Sequence, residues 1–262
     1  CDGLDGVVDG VIDDPDRCTW DPAGFVGQRV GEDVFSAADA EVVRRIWEGP
    51  RGRDGRFIWH GLTRGTDLFA TAGTEGNPLV AKPFTIAVDY YRYFLLHDPK
   101  WDGTRLGRDE FELIWNQSVE QFGAVIGTDD PDLSRFRDRG GKVLIYHGTS
   151  DQLIPHRGSL DYLERVQRRL GGPEAVAGFA RLFLVPGVNH GFKGPGPSPV
   201  GQFEALMRWV EEGRAPDRLE AELRDAQGKR VRTRPLFPYP LRAKFNGSGS
   251  PDDAANYSPV RS

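Results

Sequence analysis

The chain is 262 residues long, with 34 Lys and Arg against 39 Asp and Glu and a formal net charge of −5. That length can bury a full core, as one large α/β domain or one domain with an insertion. The cationic side chains are scattered, giving no basic face for nucleic acid or anionic lipid. No apolar run approaches the roughly eighteen residues that would span a bilayer. Neither nucleic acid nor a membrane is therefore an expected partner. The chain begins at Cys1 with no Met and no signal peptide, as expected of a processed or partial sequence.

Residues 1–22 are dense in Asp and Gly. In Cys1-Asp2-Gly3-Leu4-Asp5-Gly6-Val7-Val8-Asp9-Gly10-Val11 three carboxylates recur at nearly regular spacing, and Asp13, Asp14 and Asp16 follow with Arg17 as local counter-charge. Crowding like charges into one loop costs free energy unless a cation sits among them. Ca²⁺ takes hard oxygens from carboxylates and backbone carbonyls on Gly-rich turns. Asp2, Asp5 and Asp9 offer side-chain oxygens, and Val7 and Val11 offer backbone carbonyls. The loop is not an EF-hand, since no Glu closes it, and a solvated Asp-Gly turn is the competing reading. Cys1 and Cys18 flank this loop. They either close a disulfide worth about 3 kcal/mol in the chain-entropy model or are two unrelated thiols. A disulfide implies an oxidising compartment and export.

Ser36-Ala37-Ala38-Asp39 reads as a capping box opening a helix with Val42, Val43, Ile46 and Trp47 on one face, stopped by Gly49-Pro50. Residues 50–82 read as irregular or short strands. Residues 84–101 are rich in aromatics, which would form core or line a pocket. Phe111, Ile114, Trp115, Val119 and Phe122 repeat helically, and Asp129-Asp130-Pro131-Asp132 reads as a linker.

After the linker the pattern becomes α/β. Val143-Leu144-Ile145-Tyr146 is a short apolar run bounded by glycines, the pattern of a strand buried on both faces of a parallel sheet. It ends in His147-Gly148-Thr149-Ser150-Asp151. A helix is expected from about 158 to 170 with Leu160, Leu163 and Val166 inward. A second strand, at 181–185, leads to Gly187-Val188-Asn189-His190-Gly191. A helix with Phe203, Leu206, Met207 and Val210 on its inner face follows, then a hairpin pairing 218–223 with 229–234. The tail from Asn246 reads as mostly loop.

Ligands and catalytic groups of open α/β sheets gather at the carboxyl ends of the strands. Asp151 alone is a common turn cap, and His190 alone is a common loop histidine. Together they follow consecutive strands in the Asp-then-His order of a Ser…Asp…His hydrolase. His190 would act as general base, with Asp151 fixing its tautomer and stabilising the imidazolium. His147 and His156 compete for the role of base. His147 reads as a satisfied structural histidine and His156 as the start of a helix, while His60 and His97 have no identifiable partner. Ser150 and Ser159 lack the strand–Gly-x-Ser-x-Gly–helix setting of a nucleophile elbow, and Gly247-Ser248-Gly249 lies in the tail. The serine is expected upstream.

Several segments together resemble the tannase/feruloyl esterase family, which includes hydrolases of terephthalate mono-esters. They are C-D-G-L-D-G-V-V-D-G-V-I-D-D-P at 1–15 with Cys18, Y-F-L-L-H-D-P-K-W-D at 93–102 and G-G-K-V-L-I-Y-H-G-T-S-D-Q-L-I-P at 140–155. M-R-W-V-E-E-G-R-A-P-D at 207–217 and R-T-R-P-L-F-P-Y-P at 232–240 support them. The resemblance covers roughly the C-terminal half of a family member. It implies an α/β-hydrolase fold with an inserted, irregular α+β lid, here residues 1–130 as lid and 131–262 as the end of the catalytic domain. It implies Asp151 as acid, His190 as base, a lid disulfide between Cys1 and Cys18, and a structural Ca²⁺ on Asp2, Asp5, Val7, Asp9 and Val11. It also implies an upstream Gly-Cys-Ser-x-Gly-Gly elbow.

The chain departs from the family at Gly191, where a Cys bonded to one beside the Ser is usual, and at Phe237 and Ser258, which stand for tail cysteines. The expectation is thus part of a secreted or periplasmic serine ester hydrolase acting on small aromatic (phenolic) esters, inactive by itself. The alternative is a noncatalytic, calcium-stabilised binding protein on a degenerate hydrolase scaffold.

Overall fold

The computed structural model describes residues 1–71 and 73–261. Contacts divide the chain into two compact units, one of Pro22–Leu62 with Asp67–Asp130, the other of Cys1–Asp21, Thr63–Thr66 and Pro131–Ser262. One division falls between Asp130 and Pro131, and the acidic opening loop groups with the residues after it.

In the Pro22–Asp130 unit, strands β1 (Arg29–Val30) and β2 (Asp33–Val34) form a small hairpin ahead of helix α1 (Ala37–Glu48). The capping box forms. Ser36 Oγ accepts from Asp39 N at 3.2 Å, and Asp39 Oδ2 accepts from Ser36 N at 2.8 Å. The helix stops at Gly49, whose φ of +77° leaves the helical region, and a Cβ there would lie 2.4 Å from the Trp59 carbonyl oxygen. Strands β3 (Thr74–Glu75) and β4 (Val80–Ala81) make a second hairpin. Helix α2 (Thr85–Asp89) runs into a π-helical turn, Tyr90–Leu95, which packs on helix α3 (Arg108–Ile126). Tyr90 Oη lies 2.6 Å from Ser118 Oγ, its ring lies 6.1 Å from Phe122, and Leu95 is buried. These members of the aromatic run thus serve as packing within their own unit.

The C-terminal unit is built on one β–α–β element. Helix α4 (Ser134–Asp138) precedes strand β5 (Val143–Gly148), helix α5 (Arg157–Leu170), helix α6 (Pro173–Ala177) and strand β6 (Ala180–Val185). Strands β5 and β6 pair in parallel from Val143↔Ala180 to Gly148↔Val185. Apolar side chains cover β6 on both faces: Phe183 and Val185 pack with Ala205, Leu219 and Leu236, and Leu182 packs with Leu163, Val166 and Val176. The two-sided burial expected of the Val143–Tyr146 run is found on β6 instead. Most of β5 is only half-buried; among the described residues its one strand partner is β6.

Strand β7 (Ser198–Val200) and helix α7 (Gln202–Glu212) follow, then strands β8 (Leu219–Arg224) and β9 (Arg230–Leu236), with β7-β8-β9 antiparallel. The expected inner face of α7 is not the one used. Phe203, Met207 and Val210 are exposed, whereas Ala205 and Trp209 are buried. Trp209 has the largest apolar area on the helix, and it packs near Arg181 and Lys142, which lie 5.6 and 5.7 Å from its ring. The tail also differs from the expected loop. Strand β10 (Leu241–Phe245) pairs antiparallel with strand β11 (Tyr257–Arg261) through five register positions. Pro259 hid this strand, since a proline argues against a strand unless it lies at an edge.

The acidic loop is tied to β9. Asp9 Oδ2 accepts from Arg234 Nη2 at 2.6 Å and lies 3.0 Å from Arg232 Nη1. The Cys1–Cys18 disulfide is present, with Cα atoms 5.4 Å apart. It closes a loop with a sequence separation of 17, which in the chain-entropy model stabilises the fold by about 3 kcal/mol.

Candidate active site

Past the ends of β5 and β6 the backbones stay paired. Thr149 N donates to Val185 O at 2.9 Å and Ser150 N to Val188 O at 3.1 Å. This approach requires Gly148, where a Cβ would lie 2.2 Å from the Val188 carbonyl oxygen. The convergence brings Asp151 and His190 together. Asp151 Oδ1 accepts from the backbone N–H groups of Leu153 (2.9 Å) and Ile154 (2.8 Å), while Oδ2 lies 3.1 Å from His190 Nδ1. Asp151 thus caps the turn with one oxygen and faces His190 with the other. His190 N also donates to Gln152 Oε1 at 3.0 Å.

Burial alone would raise the Asp151 carboxyl. The hydrogen bonds from His147, the Ile154 and Leu153 amides and His190 outweigh it and hold the group well below the usual carboxylate range. It is therefore ionised at neutral pH and accepts from His190 Nδ1–H. That leaves Nε2 as the nitrogen for proton transfer, on a side chain 43% exposed. Asn189 braces the histidine loop, its Oδ1 accepting from Lys193 N at 3.0 Å. Gly191 has φ +83° with open space around it, so a larger residue there would fit sterically but carry backbone strain.

His147 is a satisfied histidine, as expected, but its approach to Asp151 was not foreseen. Its Nδ1 lies 2.8 Å from Ser159 Oγ, and its Nε2 lies 3.0 Å from Ile154 O and 3.4 Å from Asp151 Oδ2. The available signal was the i,i+4 spacing of His147 and Asp151 across a strand end. His156 is only 2% exposed. It lines a mostly apolar cavity of about 270 Å³, together with Thr149, Leu160, Leu184 and Tyr239; neither Asp151 nor His190 lines that cavity.

Burial pushes the His156 imidazole down to about 4, opposed first by Asp16. The folded state therefore binds fewer protons than the unfolded chain between about pH 6.5 and 4, and stability declines as pH falls through that window. The decline attributable to His156 is roughly 3 kcal/mol in all. His156→Gln should flatten the pH dependence of the urea midpoint over that range; an unaltered slope would exclude His156 as its source.

In the acidic loop, Asp2 accepts from Asp9 N and Gly10 N at 3.0 Å, Asp5 from Val7 N at 3.0 Å and Asp9 from Val11 N at 3.1 Å. Burial, reinforced by a hydrogen bond with Asp5, pushes the Asp13 carboxyl up to about 9. Among the described residues no group of three or more His, Cys, Asp or Glu side chains is arranged to hold an ion. The donor set itself is all hard oxygen, three carboxylates plus the carbonyls of Val7 and Val11, and its chemistry fits Ca²⁺ and not a softer metal. The arginines of β9 supply counter-charge to Asp9 that local sequence does not show. Among the described residues no helix is long and apolar enough to cross a membrane.

A parallel β–α–β element that presents a hydrogen-bonded Asp–His pair at its carboxyl edge defines an α/β-hydrolase-type protein. The family model described as "Tannase and feruloyl esterase" matches residues 1–260, and the chain belongs to that family. It is 36% identical over 257 residues to a protein named "Probable feruloyl esterase" from Arthroderma benhamiae, covering 94% of this chain and 48% of that protein. It is 31% identical over 299 residues to mono(2-hydroxyethyl) terephthalate hydrolase of Piscinibacter sakaiensis, covering 98% and 49%. The crystal structure of feruloyl esterase B from Aspergillus oryzae superposes with a TM-score of 0.85 at 27% identity, covering 99% of this chain and 54% of that one. Tannin acyl hydrolase from Aspergillus niger shares the fold, with a TM-score of 0.84 at 24% identity, covering 100% and 51%. The chain spans about half the length of the curated relatives it matches.

Proposed function

We propose that this chain is the C-terminal portion of a secreted serine ester hydrolase that cleaves esters of aromatic, phenolic acids. The observation that carries the reading is the 3.1 Å contact between Asp151 Oδ2 and His190 Nδ1 at the ends of consecutive parallel strands. The names of the relatives supply the substrate class, and the Cys1–Cys18 disulfide agrees with an oxidising compartment. The nucleophilic serine is assigned to sequence upstream of residue 1. His190 Nε2 takes its proton as the hydroxyl attacks the ester carbonyl, then returns the proton to the leaving alcohol. In the second half-reaction His190 activates water to hydrolyse the acyl-enzyme. Asp151 holds the tautomer and stabilises the imidazolium throughout. On the family resemblance, the region before residue 131 is assigned the role of lid.

The test is to recover the upstream coding sequence and assay the full-length protein on aromatic methyl esters. A Gly-x-Ser-x-Gly elbow with turnover supports the hydrolase. Its absence, with no turnover, supports the noncatalytic binding protein, a reading favoured only by Gly191 in place of the usual Cys.

Asp2, Asp5 and Asp9 with the Val7 and Val11 carbonyls are the residues assigned to a structural Ca²⁺, which would neutralise the loop's carboxylates and brace it, outside the chemical steps. Calorimetric titration of Ca²⁺ into chelator-treated protein should show one site, with a raised melting temperature. Titrations identical to buffer would remove the metal from the proposal.

A further inference from the structure

His147 stands outside the Asp151–His190 pair, yet every polar atom of its ring is engaged on that pair's support. Its Nε2 faces two acceptors, the Ile154 carbonyl oxygen at 3.0 Å and Asp151 Oδ2 at 3.4 Å. Neither can donate, since one is a carbonyl and the other an ionised carboxylate, so Nε2 carries the hydrogen. Nδ1 is then the bare nitrogen and accepts from the Ser159 hydroxyl at 2.8 Å. The tautomer thus follows from the chemistry of the partners.

Asp151 Oδ2 consequently faces two imidazole N–H groups, His190 Nδ1–H at 3.1 Å and, at the longer distance of 3.4 Å, His147 Nε2–H. Oδ1 is saturated by two backbone amides. Ser159 lies on α5 and His147 on β5, so the chain Ser159–His147–Asp151–His190 links the helix between the two strands to the candidate base.

We propose that His147 is a positioning residue of the hydrolase, fixed as the Nε2–H tautomer by Ser159 and the Ile154 carbonyl, which orients Asp151 toward His190 and shares its negative charge. The proposal rests on the reading of His190 as general base. Other ionisable groups around His147 are His156, whose ring centre lies 6.4 Å away, and the Arg157–Asp16 ion pair beside it. Removing the His147 donor concentrates the Asp151 charge on His190. The imidazolium is then favoured, and the acid limb of the kcat/KM–pH profile moves to higher pH.

The test uses the full-length enzyme with an aromatic methyl ester. His147→Leu keeps apolar bulk and deletes both ring nitrogens. It should lower kcat/KM roughly tenfold, the order expected for one lost hydrogen bond to a charged group, and move the acid limb up by roughly half a pH unit. In His147→Gln the amide nitrogen takes the place of Nε2, and the profile should return most of the way to wild type. Ser159→Ala should cost only a few-fold.

A His147→Leu profile with an unmoved acid limb, or a Gln variant no better than Leu, overturns the positioning role and leaves a packing role. Complete loss in Ser159→Ala also overturns the proposal, because it would make Ser159 the nucleophile and His147 its base. Long-range ¹H–¹⁵N correlation spectra of this chain give an activity-free arm. They should show His147 protonated on Nε2 and bare on Nδ1, and the opposite tautomer sinks the proposal. If His190→Ala retains turnover while His147 keeps the expected tautomer, the reading of His190 fails and the geometry of His147 stands.

Discussion

In the full-length enzyme, His190→Ala should lower kcat for aromatic methyl esters by about 10⁴-fold or more while leaving the urea midpoint nearly unchanged. The activity loss is large because the imidazole would move protons in both half-reactions and no neighbouring group can reach the same position. The stability change is small because the side chain is 43% exposed and makes its hydrogen bond on a surface loop. Asp151 would lose one of four donors and keep both backbone amides, so the turn after β5 should hold. Steady-state kinetics on folded variant decide the matter. An unchanged kcat would exclude His190 as the base and turn attention to His147, the other imidazole on Asp151.

The largest stability effect should come from Phe183→Ala. Phe183 is fully buried at the centre of β6, packed with Val185, Val188, Ala205, Leu219, Ala221 and Leu236. Removing the ring deletes its transfer free energy and leaves a cavity that side chains from β6, α7, β8 and β9 cannot all collapse into. The expected cost is roughly 3–5 kcal/mol, read as a lowered urea midpoint at an unchanged slope. A cost below roughly 1 kcal/mol would mean the neighbours close over the gap. Because β6 also carries the His190 loop, the variant should lose activity in parallel with the folded fraction and recover it at lower temperature.

Much of the candidate site was legible because it depends on short-range order. Two apolar runs of strand length, each followed within a few residues by Asp151 or His190, determine that both groups emerge at one edge once the strands pair in parallel. The glycines and the helix between them agree with that outcome. The capping box at Ser36 and Asp39 is legible for the same reason, since both partners sit within one helical turn.

Other features could not be read locally. The face of α7 is one, because Phe203-x-x-Leu206-Met207 and Ala205-x-x-x-Trp209 are adjacent stripes on the same helix. Periodicity detects an apolar stripe, whereas the shape of the cavity beneath chooses between two. Strand β11 is another, since Ser258-Pro259 lacks strand composition and is held by its partner β10.

By itself, the sequence determined the β–α–β order from β5 to β6 with the helix and hairpin after it, the placement of Asp151 and His190 at the strand ends, and the acidic opening loop flanked by two cysteines. Only the tertiary structure decided which distant side chains complete those features. Arg232 and Arg234 meet Asp9 across more than two hundred residues of chain, and Ser159 and His147 converge on the carboxylate that faces His190. The physical reason is the reach of each interaction. Backbone propensity and hydrophobic periodicity are written within a turn or two of chain. Charge pairing and hydrogen-bond partnership depend on three-dimensional proximity, which exists only once the core around β6 has closed.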